Sequence, residues 1–415
     1  MLLSKRAEMY LPEGWPAYFD RTEGCAIWDL DGTRYLDLGF MGVGTNILGY
    51  SHPKVDEAVR KTVDKGNLST LNAPEEVYLA ERLVQMHPWA DMVRYARSGG
   101  EACAIAVRIG RAASGKDHVA FCGYHGWHDW YLAANLGEDD SLNGHLIPGL
   151  EPNGVPRELR GTSKPFEYNN LEQLRKILND DPHVGVIYME VQRSEPPAPG
   201  FLEGVRELAT QHNAVLIFDE CTSGFRRSFG GLHLHYGVEP DIATFGKTLG
   251  NGYAITAVIG RESVMQAAQT TFISSTFWTE RIGPTAALAT LDVMEEENAT
   301  ERVHAIGEDV QERWRRLANE TDLSITTGGL PALANFTVQG LDPLAVKTYI
   351  TSRMLEQGYL AGPNLYASLA HTPEVLDDYM ESLESVFKAL ASFSDRDLSA
   401  NLPEGTAQSG FRRLT

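Results

Sequence analysis

The sequence lacks the features that mark several common classes of protein. None of its four cysteines forms a C-x-x-C pair, since they lie far apart at Cys25, Cys103, Cys122 and Cys221. A disulfide framework or a zinc cluster is therefore not expected. Basic residues are few: 36 Lys and Arg stand against 56 Asp and Glu, which gives a formal net charge of −20. Because a negative surface repels phosphate backbones and anionic lipids, we expect neither a nucleic-acid nor a membrane partner.

Long apolar runs are also missing. The apolar runs that are present, such as residues 184–189 and 214–218, have only the length of a strand. The N-terminus carries no apolar stretch typical of a secretory signal. We therefore expect a cytoplasmic protein. The composition, 43% hydrophobic and 22% charged, is typical of a globular protein, and 415 residues suggest two or three domains or one large domain with an appendage.

Helices and strands alternate along most of the chain. Short apolar runs separated by amphipathic segments predict an α/β fold with a mostly parallel sheet. Strands are predicted over 92–96, 118–121, 184–190, 214–219, 241–245, 255–259 and 333–338, and helices over 53–65, 75–86, 99–113, 171–178, 203–212, 285–297 and 300–318.

The pattern divides the chain into four parts. Residues 1–50 form an N-terminal segment in which 25–38 predict a hairpin around the turn Asp31–Gly32. Residues 51–285 form the large domain, and 286–394 a smaller α+β domain. Residues 395–415 are polar without periodicity, which predicts a surface extension or disorder.

Candidate site residues follow the predicted strands, because ligands of open α/β sheets bind outside the carboxyl ends of the strands. Ser98 and Glu101 form a capping box, with Gly99 and Gly100 between them. Glycines at a helix N-terminus allow an anion to approach exposed N–H groups, although an ordinary helix start explains the motif equally well. The stretch matches neither a dinucleotide-binding nor a P-loop motif.

Two further strand ends carry a carboxylate and a lysine. Asp219 ends the most apolar strand, where a charge is costly unless it pairs with a cation on the protein or on a ligand. Lys247 follows a strand and is surrounded by glycines, a setting that suits a Schiff-base nucleophile. The alternatives are a structural salt bridge for Asp219 and a solvated loop lysine for Lys247.

The fourth strand end is aromatic. Tyr124, His125 and Gly126 follow the strand at 118–121, and such groups suit stacking on a flat cofactor. His125 and His128 lack a third ligand at a helpful spacing, so we expect no metal. An anion site, an aromatic ring, a carboxylate and a lysine at strand ends are together the parts of a pyridoxal 5'-phosphate (PLP) site.

These motifs carry a resemblance to a known family. Over most of its length the chain resembles the class III aminotransferases of the fold-type I PLP enzymes, and among them glutamate-1-semialdehyde 2,1-aminomutase. The markers are the segments 98–102, 124–126, 218–220 with 222–226, and 245–247. The resemblance implies a large PLP-binding domain with a mostly parallel sheet and a smaller α+β C-terminal domain.

The resemblance also implies roles for individual residues. Lys247 would bond to the cofactor and Asp219 would pair with its ring nitrogen, with Tyr124 and Cys221 on opposite faces of the ring. The remaining residues that it places around the cofactor are Ser98, Gly99 and Gly100 at the phosphate, His125, Glu190, and Ser275 and Thr276, which would reach a partner's phosphate.

The function expected from the sequence is PLP-dependent transfer of an amino group from a small-molecule donor to a carbonyl acceptor, such as a sugar or another biosynthetic intermediate. A homodimer with composite active sites is expected. Two alternatives remain: the aminomutase itself, and a non-catalytic binding protein with the same fold. Against the aminomutase, residues 14–19 include three aromatic side chains where that family has a carboxylate-binding arginine, and Arg21 is displaced from that position.

Overall fold

The computed structural model describes residues 5–137, 141–142, 144–145, 149–192 and 194–409. The strands within these residues are β1 (Phe19–Glu23), β2 (Ala26–Asp29), β3 (Arg34–Asp37), β4 (Met92–Ala96), β5 (His118–Cys122), β6 (Ser163–Pro165), β7 (Val184–Glu190), β8 (Val215–Glu220), β9 (Ile242–Phe245), β10 (Thr256–Gly260), β11 (Ile325–Gly328), β12 (Leu333–Val338), β13 (Tyr359–Leu360) and β14 (Asn364–Tyr366).

The α-helices are α1 (Met41–Gly44), α2 (Pro53–Lys65), α3 (Pro74–Met86), α4 (Gly99–Ser114), α5 (Asp129–Leu132), α6 (Leu171–Asp180), α7 (Phe201–Gln211), α8 (Leu232–Tyr236), α9 (Glu262–Met265), α10 (Ile282–Glu296), α11 (Ala299–Glu320), α12 (Pro343–Glu356), α13 (Pro373–Ser392) and α14 (Asp395–Ala400). Short 3-10 turns include Lys247–Gly250 and Thr276–Thr279. No helix in the described part of the chain is long and apolar enough to cross a bilayer.

The chain forms two compact units. One comprises residues 54–293, and the other joins residues 1–53 to residues 294–415. The sequence pattern divides the chain differently, because periodicity shows where elements lie but not that the N-terminal segment clusters with the C-terminal part.

Unit 54–293 contains a seven-stranded sheet in the order β4-β10-β9-β8-β7-β5-β6. Only β10 runs against its neighbours, β4 and β9, whereas the pairs β9/β8, β8/β7, β7/β5 and β5/β6 are parallel. The predicted α/β fold with a mostly parallel sheet is confirmed. Every residue of β7, β8 and β9 is buried, as expected for strands covered on both faces. The carboxyl ends of all strands except β10 therefore lie on one edge.

The other unit contains two smaller sheets, β1-β2-β3-β13 and β11-β12-β14. The predicted hairpin is formed by β2 and β3, and Asp29 closes its turn by accepting hydrogen bonds from the backbone N–H groups of Asp31 and Thr33. Helices α11 to α13 pack on the second sheet, where Trp314 and Phe387 contact Phe336 edge to face.

The prediction for the tail is wrong in part. Helix α14 begins with a capping box of Ser394 and Asp397, and it buries Leu398. Farther along, Gln408 donates a backbone hydrogen bond to Glu8. The aperiodic composition hid a short helix of six residues that buries one apolar side chain, while residues 410–415 lie outside the described residues.

Candidate active site

Asp219 is the centre of a hydrogen-bonded cluster at the end of β8. Its Oδ2 accepts from Nδ1 of His125 at 2.7 Å, and its Oδ1 accepts from the backbone N–H of Cys221 at 3.0 Å and from the hydroxyl of Thr244 at 3.2 Å. Burial alone would raise the pKa of Asp219, but the hydrogen bond and charge of His125 hold it below its ordinary value. The cluster therefore keeps a buried carboxylate ionised.

His125 is fixed on both sides. Its Nε2 lies 3.1 Å from the carbonyl oxygen of Cys122, and its ring stacks on Tyr188 with centroids 4.2 Å apart. The imidazole is buried, so its partners determine its orientation. A histidine held by a carbonyl and a carboxylate positions the Asp219 charge rather than binding a metal.

Lys247 begins a 3-10 turn directly after β9. Its φ of 29° lies in the left-handed region, which is uncommon for a side-chain-bearing residue and is found disproportionately at functional sites. Its half-buried ammonium donates a hydrogen bond to the hydroxyl of Thr222 at 2.8 Å. Lys247 is therefore not the solvated loop lysine that the sequence left open.

The N-terminus of α4 is closely covered by the loop after β5. Glu101 accepts hydrogen bonds from the backbone N–H groups of Arg97 and Ser98, both at 3.0 Å, as the capping box predicts. A Cβ at Gly126, whose φ is 96°, would lie 2.9 Å from the Cα of Gly100. Only glycine allows this approach, which brings the aromatic loop onto the first turn of the helix.

The same loop is anchored by Glu190 at the end of β7. Its Oε2 accepts the backbone N–H of Tyr124 at 3.1 Å, and a Cβ at Gly123 would lie 2.5 Å from that oxygen. The Tyr124 ring, 36% exposed, meets Tyr131 edge to face. Glu190 thus holds the strand end that carries the aromatic ring.

Cys221 lies between two glycines. Its Sγ is 3.8 Å from where a Cβ would stand at Gly99 and 3.4 Å from the same position at Gly246. Cys103 donates a weak hydrogen bond to Asp219 at 3.6 Å, and burial raises the pKa of the Cys103 thiol well above its ordinary value. A protonated thiol is a poor metal ligand, so the pair acts as small packing groups beside the carboxylate.

Ser275 and Thr276 lie on the exposed surface of unit 54–293. The turn that Thr276 begins is tied to the start of α4, because Trp278 donates to Glu101 at 3.4 Å and accepts from Arg97 at 2.9 Å. This placement leaves both hydroxyls open to solvent.

Sequence reasoning missed the roles of Thr222 and Thr244. Thr222 lies in the marker segment 222–226, but nothing local indicates that its hydroxyl meets Lys247. Thr244 lies opposite Asp219 in the register of β8 and β9, which only the strand order reveals.

Comparisons with known proteins agree on one family. The model of the aminotransferase class-III family matches residues 12–385. The 3-aminobutyryl-CoA aminotransferase of Cloacimonas acidaminovorans (strain Evry) is 32% identical over 407 residues, covering 93% of each chain.

Solved structures resemble the fold. The FumI protein of Sphingopyxis sp. MTA144, solved in a PLP form, superposes with a TM-score of 0.84 at 24% identity over 96% of this chain and 93% of its own. A glutamate-1-semialdehyde aminomutase from Pseudomonas aeruginosa PAO1 has a TM-score of 0.78 at 20% identity, covering 91% of this chain and 89% of its own.

Proposed function

Because the chain belongs to the class-III aminotransferases and is a PLP-dependent transaminase, we propose that the cluster of Asp219 and Lys247 is its catalytic centre. The observation that carries the proposal is the placement of two groups at the ends of the adjacent strands β8 and β9. One is a buried, ionised carboxylate, and the other is a half-buried lysine with a strained backbone. The family and its aminotransferase relative leave the non-catalytic alternative without support.

The residues present fit the cofactor. Gly99 and Gly246 place no side chain beside Cys221, where a Cβ would come within 3.8 Å and 3.4 Å of its Sγ, and the first turn of α4 offers N–H groups to a phosphate. In the proposed arrangement residues 98–100 would hold the phosphate, and Tyr124 and Cys221 would flank the ring. Asp219 would accept the ring N–H. His125 holds Asp219 in place, and Glu190 holds the loop that carries Tyr124.

The chemistry divides between cofactor and protein. When bound, PLP supplies a protonated ring that takes up the electron pair left when the Cα–H bond of the amino donor breaks. The Lys247 amine removes that proton and returns it later in the reaction, so it is base and acid in turn. Thr222 orients the amine through its hydroxyl, and Asp219 stabilises the ring N–H by its negative charge.

The active unit is proposed to be a homodimer. The segments 67–78 and 272–281 are adjacent, since Arg281 pairs with Glu75 at 2.6 Å and its backbone N–H donates to Asn67. Together they expose large apolar side chains, between 42% and 84% accessible, which are Leu68, Leu71, Val77, Tyr78, Phe272 and Phe277. An apolar surface of this kind is typical of a subunit interface, and Ser275 and Thr276 lie within it.

The proposed acceptor is a neutral or larger carbonyl compound with no carboxylate for an arginine to bind, which disfavours the aminomutase alternative. The guanidinium of Arg21 lies 3.5 Å from the centroid of Trp28 and 3.8 Å from Glu23, contacts that compete with bidentate binding of a carboxylate. Trp15 stacks on Tyr10 at 4.3 Å, giving the N-terminal segment an aromatic surface. The relative is named for 3-aminobutyryl-CoA, an amine whose acyl carboxyl group is a thioester, and the carbonyl compound left after loss of that amino group lacks a free acyl carboxylate as well.

A panel of acceptors tests this proposal. Purified holoenzyme is given an amino donor with glutamate 1-semialdehyde, a CoA thioester of a 3-oxo acid, or a keto sugar, and products are measured. We expect turnover with the thioester or the sugar. Conversion of glutamate 1-semialdehyde to 5-aminolevulinate with kcat/KM above roughly 10⁴ M⁻¹s⁻¹ would restore the aminomutase.

The cytoplasmic location is likewise a proposal. It is supported by the four cysteines, all of which are unpaired, as is usual in reducing compartments.

A further inference from the structure

His128 places a polar atom over the first turn of α4. A Cβ at Gly100 would lie 3.1 Å from Cδ2 and 3.3 Å from Nε2 of His128. That Nε2 is buried and has no hydrogen-bond partner among the described residues. Because a buried polar atom without a partner is costly, its position next to a helix N-terminus calls for a physical reason.

The local structure around His128 does not explain why its Nε2 lies beside the N-terminus of α4. The backbone carbonyl of His128 accepts from Tyr131 and Leu132 and so begins α5, but its side chain makes no capping hydrogen bond. The imidazole instead lies against the indole of Trp127, with ring centroids 4.6 Å apart. The ring is thus held at α4 by its neighbours rather than by a hydrogen bond of its own.

The position suits a donor to an anion. The first N–H groups of a helix have no intrahelical acceptor and favour negative charge. The nearby guanidinium of Arg97 pairs with Glu280 at 3.0 Å and donates to the carbonyl oxygens of Trp278 and Glu280, so it is committed elsewhere. A Cβ at Gly100 would meet two side-chain nitrogens, Nε2 of His128 and Nε1 of Trp127, the latter at 3.5 Å. Trp127 is 69% exposed, so His128 brings the buried one.

We propose that Nε2 of His128 donates a hydrogen bond to the phosphate group of PLP. The proposal rests on the phosphate position at 98–100 proposed above. It assigns His128 as a further cofactor-binding residue, with the tautomer that carries hydrogen on Nε2. Gly100 has a second function in this assignment, because any side chain there would displace the imidazole.

Comparing two cofactors tests the assignment without measuring activity. Full-length apoenzyme is prepared by releasing PLP, and the affinities of PLP and of pyridoxal, which lacks the phosphate, are measured by quenching of tryptophan fluorescence. We expect His128→Phe to weaken PLP about 10-fold to 100-fold, as for a hydrogen bond to a charged group. Pyridoxal affinity should stay within about twofold, since no phosphate contact is lost.

Two further variants isolate the nitrogen. His128→Gln restores an amide donor and should recover part of the PLP affinity. Trp127→Phe keeps the neighbouring ring but removes the indole N–H, and it should leave the ratio of PLP to pyridoxal affinity unchanged. If Trp127→Phe lowers that ratio and His128→Phe does not, the indole is the donor and the assignment is wrong.

The remaining outcomes separate the two proposals. Equal weakening of PLP and pyridoxal in His128→Phe would show that the ring only supports the loop, which overturns the assignment. Ser98→Ala tests the phosphate position itself. If it lowers the PLP to pyridoxal ratio while His128→Phe has no effect, only the role of His128 fails; if neither variant changes the ratio, the phosphate position fails as well.

Discussion

Asp219 is ionised at a buried position, although burial alone would raise its pKa. Four groups donate hydrogen bonds to its two oxygens, namely His125, Cys221, Thr244 and Cys103. The hydrogen bonds from His125 and Cys221 hold the pKa of Asp219 below its ordinary value despite its burial. Its neighbour Glu220 points to the other side of the strand, where it pairs with His233 at 2.9 Å. Adjacent carboxylates on one strand therefore have separate roles, one facing the site and one facing the core.

Replacing Asp219 by Asn keeps the shape and removes the charge. An amide does not favour a protonated ring nitrogen, so we expect the variant to bind some cofactor but to lose turnover by on the order of 10³-fold or more. Steady-state kinetics of the holoenzyme measure this. Glu220→Gln is the matched control and should retain the specific activity of its folded fraction; near-wild-type turnover in Asp219→Asn would contradict the role.

At the scale of elements, the outer strands of the large sheet are joined by a second buried carboxylate. Asp181, the residue directly after α6, accepts hydrogen bonds from His118 of β5 and from Lys164 of β6, both at 2.7 Å. Burial alone would raise the pKa of Asp181, but these hydrogen bonds lower it to about 2. The pKa of Asp181 is lower in the folded protein than in the unfolded chain. The ionised Asp181 therefore stabilises the fold fully above about pH 4, and this stabilisation is lost as the pH falls toward 2.

Asp181→Asn should lower the free energy of unfolding by about 2 kcal/mol at pH 7. The difference from the wild type should shrink as the pH falls below 4, because Asp181 then becomes protonated in the unfolded wild-type chain. Urea unfolding followed by circular dichroism at several pH values measures both effects. Asp180→Asn, at an exposed neighbour, should change little, and a difference independent of pH would contradict the linkage.

The sequence predicts where most strands and helices of this unit lie, but it does not predict which strands lie next to each other in the sheet. Helix α2 and strands β4 and β7 lie at the predicted residues, because apolar periodicity is local information. The bond between His125 and Asp219 joins residues 94 positions apart, and it depends on the order of β5, β7 and β8. Strand order is set by packing of the whole sheet, so no local pattern could have indicated it.

At the scale of the whole molecule, the apolar surface formed by 67–78 and 272–281 is the feature that the single chain leaves unexplained. The net charge of −20 works against association of copies at random surfaces. The proposed apolar interface would overcome that repulsion and would bring the exposed Thr276 to the partner's site. The proposed catalytic centre would then be complete only in the dimer.

Mixing two variants tests the composite site, provided that Thr276→Val alone is first shown to be inactive. Hybrids of Lys247→Ala with Thr276→Val should recover partial activity, because one site of each hybrid dimer has both native residues. Mixing Lys247→Ala with Asp219→Asn is the control and should recover none, since both residues belong to the same chain's site. A fully active monomer in sedimentation would contradict the dimer.

Lys247 is proposed as the residue to which the cofactor bonds. Purified holoenzyme is reduced with borohydride, digested and mapped by mass spectrometry, with Lys247→Ala treated in parallel. We expect a yellow protein whose visible band disappears on reduction, with the pyridoxyl group on the peptide containing Lys247 and no specific label in the variant. A pyridoxyl group fixed on another lysine, such as Lys116 or Lys164, would contradict it.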